Sequence, residues 1–199
     1  MASVSQYVYS PILTGQIRLL RLMPSADDST AVHGQLVHYP LLSSCRTSHP
    51  FEALSYTWGS LSQDHYVCLG DKKLSVTANL HSALLRLRDP VLERVMWIDA
   101  VCINQQDTTE RSDQVRIMAV IYSRASRVVV WLGESENDSD RAVEVIHLAA
   151  IGQSKDESGK SQEKSQDAVI ALLRRSWFRR VWVSSAAATL DGGGRCLTS

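Results

Sequence analysis

The sequence predicts an α/β fold: a parallel, doubly wound sheet flanked by helices, with added N-terminal strands and a β-hairpin. Three observations carry that prediction. Residues 95–133, VMWIDAVCINQQDTTERSDQVRIMAVIYSRASRVVVWLG, read as strand, loop, helix and strand. A helix joining two apolar strands is the crossover that parallel pairing requires. From residue 53 onward strands and helices alternate, the pattern of an open sheet wound on both faces. Outside that alternation lie IRLLRLMP (17–24) and the hairpin pattern of residues 64–77, which are expected to form an antiparallel edge.

Taken in order, Ile17, Leu19 and Arg21 alternate against Arg18, Leu20 and Leu22, a partly buried strand. PSADDST (24–30) is a turn, and residues 36–39 form a weak strand. In FEALSYTWGS (51–60), Ala53, Leu54, Tyr56 and Trp58 suit a buried strand that Gly59-Ser60 ends. Strands 65–69 and 73–77 flank Gly70-Asp71-Lys72 as a hairpin. Leu80, Ala83, Leu84 and Leu87 mark an amphipathic helix stopped by Asp89-Pro90. In the central segment Val115, Met118, Ala119, Tyr122 and Ala125 recur at helical spacing. Asp107 and Glu110 look like a capping box at the start of that helix. A helix over residues 140–150 presents Ala142, Val145, Ile146 and Ala149 on one face. Residues 152–166 contain no apolar side chain and read as a solvated loop. Residues 168–173 resume a helical pattern, and RRSWFRRVW (174–182) repeats it through Trp177, Phe178, Val181 and Trp182. From residue 184 the sequence turns small and glycine-rich, either a disordered tail or sequence from a wrong frame or unspliced intron. The organisation is therefore lead-in strands and loop (1–50), a main domain (51–183) containing the polar loop, and a tail (184–199).

Composition sets the class. The chain has 199 residues, 44% hydrophobic and 21% charged, ordinary for one soluble domain. Lys plus Arg and Asp plus Glu both number 21, so no net charge draws it to nucleic acid or anionic membrane. No apolar run approaches a membrane span, and the N-terminus lacks a basic region followed by an apolar core. Cys45, Cys68, Cys102 and Cys196 form no CxxC pair and read as free thiols in a reducing, cytoplasmic setting.

The loop after residue 98 is where an open α/β sheet places its ligand crevice. Asp99, Asn104 and Asp107 crowd there, and Trp58 and Gly59 close the neighbouring strand. The plainer alternative gives Asp99 to local amides, Asn104 to a turn, and Asp107 and Glu110 to helix capping. A metal site is not expected, because His65-x-x-Cys68 and Cys45-x-x-x-His49 are isolated pairs. No glycine loop for a nucleotide is present, and no histidine can be placed beside Cys102, which reads as a buried thiol. Trp97 and Trp131 read as core; Trp58 is the tryptophan placed to reach the crevice. Arg174, Arg175, Arg179 and Arg180 form the basic cluster, read as a solvated, snorkelling face.

Three segments together resemble the successive motifs of the fungal heterokaryon incompatibility (HET) domain. The first is FEALSYTWGS, with Tyr56 and Trp58. The second is the central segment, with Trp97, Asp99, Glu110, Arg111, Gln114 and Trp131. The third is RRSWFRRVW, with Trp177, Arg180 and Trp182. The resemblance implies a role in non-self recognition and programmed cell death, in a fungal immune response, through self-association or a protein partner. It also implies a flavodoxin-like order remotely similar to TIR domains, many of which cleave NAD with a late-helix glutamate. The family's third motif typically continues Trp-x-x-Gln-Glu, whereas here Ser185 and Ala186 follow Trp182-Val183-Ser184. A methyl group cannot replace a carboxylate in proton transfer. The expectation is thus a signalling module without cofactor; the alternatives are an NAD-cleaving hydrolase or an inactive, truncated fragment of a longer HET protein.

Overall fold

In the computed structural model, the described residues are 5–41, 50–60, 62, 64–153 and 160–179. They divide into two compact units at residue 131/132. The tail and the polar segment 154–159 lie outside the described residues, as do Cys45, His49, Arg180, Trp182, Ser185, Ala186 and Cys196.

The first unit is a seven-stranded mixed sheet. Its strands are β1 (Gln16–Leu22), β2 (His33–Pro40), β3 (Glu52–Tyr56), β4 (His65–Leu69), β5 (Lys72–Val76), β6 (Arg94–Trp97) and β7 (Arg127–Trp131), in the spatial order β5-β4-β2-β1-β6-β3-β7. Parallel pairing holds β6 and β7 on either side of β3. The chain leaves β3 toward β6 and then crosses back past β3 to reach β7. This reversal is the switch of a doubly wound sheet, and because such crossovers are right-handed it sends successive helices to opposite faces. Burial agrees: Ala53, Leu54, Ser55 and Tyr56 of β3 are all buried, as a strand covered on both faces must be.

The expected α/β class is observed, with the main parallel pairing held by three strands, β6, β3 and β7. The N-terminal strands and the hairpin supply the antiparallel remainder. β1 is antiparallel to both β2 and β6, and β4 to β5. A short parallel contact, His33↔Cys68 and Gly34↔Leu69, joins β2 to β4 and so the hairpin to the rest of the sheet. β1 is therefore an interior strand, and Ile17, Leu19, Leu20 and Leu22 are buried. Glu52, at the amino end of β3, ties the parallel trio together. It accepts from Arg94 of β6 at 2.6 Å and is ion-paired with Arg127 of β7.

The hairpin turn is tighter than expected. Lys72 pairs with Leu69, leaving Gly70-Asp71 between the strands, with Gly70 at φ +65° where a side chain is disfavoured. Helix α1 (Ala78–Leu87) begins at the Thr77 cap, whose hydroxyl accepts from the Leu80 amide at 3.4 Å. Leu80, Ala83 and Leu84 are buried, as their spacing demands. A one-turn helix α2 (Asp99–Cys102) precedes α3 (Thr108–Arg124).

On α3 the inward face is shifted by one position from the expected one. Gln114 and Ile121 are buried, Ile117, Met118 and Tyr122 pack on the core, and Val115 is 55% exposed. Ala119 is exposed too. The cause is Gln114, whose amide donates to Gln16 O at 3.3 Å and so occupies a position that periodicity reserves for an apolar residue.

The second unit holds α4 (Ser139–Ala150), α5 (Lys160–Leu173) and a 3-10 turn, Ser176–Arg179. Its core is Ala142, Ala168 and Leu172. Val145 is half-buried on α4, but Ile146 is 44% exposed and Ala149 is exposed, against expectation. The polar stretch is not all loop either: α5 starts at Lys160, inside it. Lys, Gln and Glu are good helix formers, and Ser165 is buried with its hydroxyl accepting from Arg141 Nε at 2.9 Å. Arg175, expected on a solvated face, instead donates to the carbonyls of Leu132, Glu134 and Glu136 at 3.0–3.1 Å. Trp177 and Phe178 meet edge to face at 5.0 Å in the 3-10 turn rather than on a continued α-helix.

Candidate functional site

The carboxyl ends of β3, β6 and β7 meet the start of α1. Trp58 follows β3, and its indole N–H donates to Asp99 Oδ2 at 3.1 Å. Asp99 Oδ1 accepts from the Ala100 amide at 2.7 Å. The amide side chain of Asn79, on the first turn of α1, donates to Thr57 O at 2.6 Å. Its oxygen accepts from Trp131 Nε1, at the end of β7, at 2.9 Å. Two indoles from adjacent strand ends are thus each held by one polar side chain. Gly59 lies beside them at φ +71°, and a Cβ there would stand 3.3 Å from Asn79 Cβ. Gly59→Ala is expected to cost about 1–2 kcal/mol from the left-handed backbone alone, read as a lower denaturation midpoint with unchanged slope.

The loop between β6 and α3 is organised from below by a residue that periodicity did not single out. Arg18, on β1, is 1% exposed. Its guanidinium donates to both oxygens of Glu110, at 2.6 and 3.0 Å, a bidentate pair. It also donates to Cys102 O at 3.1 Å and Ser10 O at 2.5 Å, under the Tyr9 ring at 4.9 Å. The Tyr9 hydroxyl donates to Val101 O at 3.0 Å. Glu110 Oε1 in turn accepts from the Asn104 amide at 2.7 Å. Gln105 donates to Asp99 O at 2.8 Å, and Asn104 Oδ1 accepts from the Gln106 amide at 3.2 Å.

Asp107 is the N-cap of α3, accepting from the amides of Thr109 and Glu110 at 2.9 and 3.0 Å. The expected capping box is therefore half present. Glu110 does not complete it, because a buried guanidinium is the stronger partner for its carboxylate. The sequence signal for Arg18 was a charged residue within a strand whose neighbours are apolar on both faces. Asn79 carried no signal, since an amide in a first helical turn is commonplace.

The other expected residues fall into place around this frame. Trp97 is fully buried and meets Tyr122 edge to face at 5.6 Å, and its indole N–H has no partner among the described residues. Tyr56 and Trp131 are buried at strand ends, and Arg111 is exposed on α3. The structure brings together Trp58, Gly59 and Asp99; Asn104 and Asp107 continue the same loop. Cys102 is buried, its sulfur 3.4 Å from the Ile98 amide, and desolvation pushes the thiol up to about 12. A thiol so placed stays protonated and inert. His65 stacks on His81 at 4.8 Å. Burial first, then His65 and Arg88, hold the His81 imidazole below its ordinary value.

The family described as Heterokaryon incompatibility protein (HET) matches residues 51–185, which contain this loop and both tryptophan clasps. The chain belongs to the HET family. It is 32% identical to "Heterokaryon incompatibility protein 6, OR allele" of Neurospora crassa, over 83% of this chain and 31% of that protein. The chain thus spans about a third of the length of that curated relative. No solved structure matches the HET chain. Among the described residues no helix is long and apolar enough to cross a membrane.

Proposed function

We propose that this chain is the HET signalling module of a heterokaryon incompatibility protein. It would act in the cytoplasm, in non-self recognition and programmed cell death, by self-association or binding a protein partner. The relative's printed name supports the biological role. The observation that supports association over chemistry is the engagement of the loop's acids. Asp107 caps α3, Glu110 is gripped by Arg18 and the Asn104 amide, and Asp99 accepts from Trp58 and Ala100. A general base must reach a substrate proton, whereas these oxygens face protein donors and so shape a fixed surface. The test is incompatibility-triggered cell death in a fungus carrying Asp99→Asn in its natural chain. Asparagine keeps an acceptor toward Trp58, so cell death is expected to persist. Loss of cell death in a folded, still-assembling Asp99→Asn protein would overturn the association reading.

A second reading, cleavage of NAD, is supported by one specific observation. The strand order reverses between β6 and β7 around β3, and open α/β sheets bind ligands at the carboxyl ends of such strands. Trp58, Gly59, Asn79 and Asp99 stand there. Nicotinamide release from the chain in the presence of NAD distinguishes the readings. None is expected, because the position that the resemblance gives to a glutamate is Ala186.

A further inference from the structure

Among the chain's five prolines only Pro11 follows a serine or threonine. The residue before proline is driven into extended backbone, and Ser10 has no helical or strand assignment. Ser10, Pro11, Leu13 and Thr14 are exposed, with Val8 80% and Leu13 70% open to solvent. An enzyme that reads an extended Ser-Pro segment therefore finds this one displayed on the folded protein.

Ser10 sits against one imidazole, His38, and against a guanidinium, Arg18, whose charge is already paired with Glu110. Arg18 of β1 and His38 of β2 are directly opposed across the antiparallel pair, so both side chains leave the same face of the sheet. Ser10 contacts both. Its carbonyl accepts from Arg18 Nη2 at 2.5 Å, and its hydroxyl lies 3.1 Å from His38 Nε2. Residues 5–14, SQYVYSPILT, contain no acid. A phosphate on the Ser10 hydroxyl would therefore meet an imidazole already within hydrogen-bond distance.

We propose that Ser10 is a phosphoacceptor for a proline-directed protein kinase, with His38 as the seat for the phosphate. In the transfer, Ser10 Oγ bonds to the γ-phosphorus of ATP as the bond to the bridging oxygen breaks. ADP leaves, and the hydroxyl proton passes to the kinase's base. The product places about −1.5 to −2 charges beside His38. The same residue's carbonyl is held by Arg18, so the modification adjoins the clasp that organises the central loop.

The test is incubation of the folded chain with a purified proline-directed kinase and ATP, followed by mass mapping and phosphorus NMR. One phosphate is expected at Ser10, absent from Ser10→Ala and Pro11→Ala chains. The phosphoserine resonance is expected to shift when His38→Gln removes the imidazole. Two results would each overturn the proposal. One is incorporation into the denatured chain but not the folded one. The other is a modified Ser10 whose phosphorus resonance ignores His38→Gln. Ser10→Ala removes only an exposed hydroxyl, so its failure to fold is not an obstacle.

Discussion

Glu110→Ala is expected to destabilise the protein by about 3–5 kcal/mol, the cost of leaving a buried charge without its partner. Arg18 has a side-chain exposure of 1% and Glu110 of 10%, so solvent cannot replace the lost carboxylate. The same substitution orphans the Asn104 amide. Replacing both partners with methionine should recover part of the loss, since an apolar pair of similar volume removes the uncompensated charge. Recovery should be incomplete, because Arg18 also holds the carbonyls of Cys102 and Ser10. Urea titrations of Glu110→Ala and of the Arg18→Met/Glu110→Met double variant measure this directly. A midpoint unchanged in Glu110→Ala would show that the pair contributes nothing to the fold.

Trp97→Ala is expected to cost a similar amount, about 3–5 kcal/mol, for a different reason. Trp97 is fully buried at the end of β6, against Tyr122 of α3. Tyr122 also donates to Leu54 O at 3.1 Å, so the indole helps to seat α3 on β3. Trp97→Phe separates shape from polarity. It keeps an aromatic ring against Tyr122 and removes an indole N–H that has no partner among the described residues. Its cost should therefore be much smaller than that of alanine, as the buried donor no longer needs desolvation. Thermal or urea unfolding of both variants checks the ordering, and equal losses would contradict it.

Periodicity and turn chemistry read the strands and helices well, because those signals come from burial repeated along a segment. β6, α3 and β7 were visible as one long motif for that reason, and β3 as a separate apolar segment. The errors came where a polar residue occupied a buried position. Gln114 displaced the apolar face of α3, and Ser165 allowed α5 to begin in a segment with no apolar side chain. Glu110 illustrates the same point at the candidate site. Its position relative to Asp107 suggested a local cap, but its partner is Arg18, distant in sequence and adjacent only once β1 lies beside β6. Asn79 was invisible because its two partners, Thr57 and Trp131, come from strands that meet only in the folded sheet. Asp99 and Trp58 were both marked as crevice residues; their mutual hydrogen bond required the parallel pairing of β3 with β6.

The surface proposed here for association depends on a loop that is fixed before any partner arrives. Native-state hydrogen exchange at the Asn104 amide tests that most directly. The amide is expected to be protected in the wild-type chain, with protection reduced at least tenfold, about 1.4 kcal/mol, in Glu110→Gln. An Asn104 amide that exchanges at the rate of an open loop in the wild-type chain would contradict the Arg18–Glu110 clasp as the organiser of this loop.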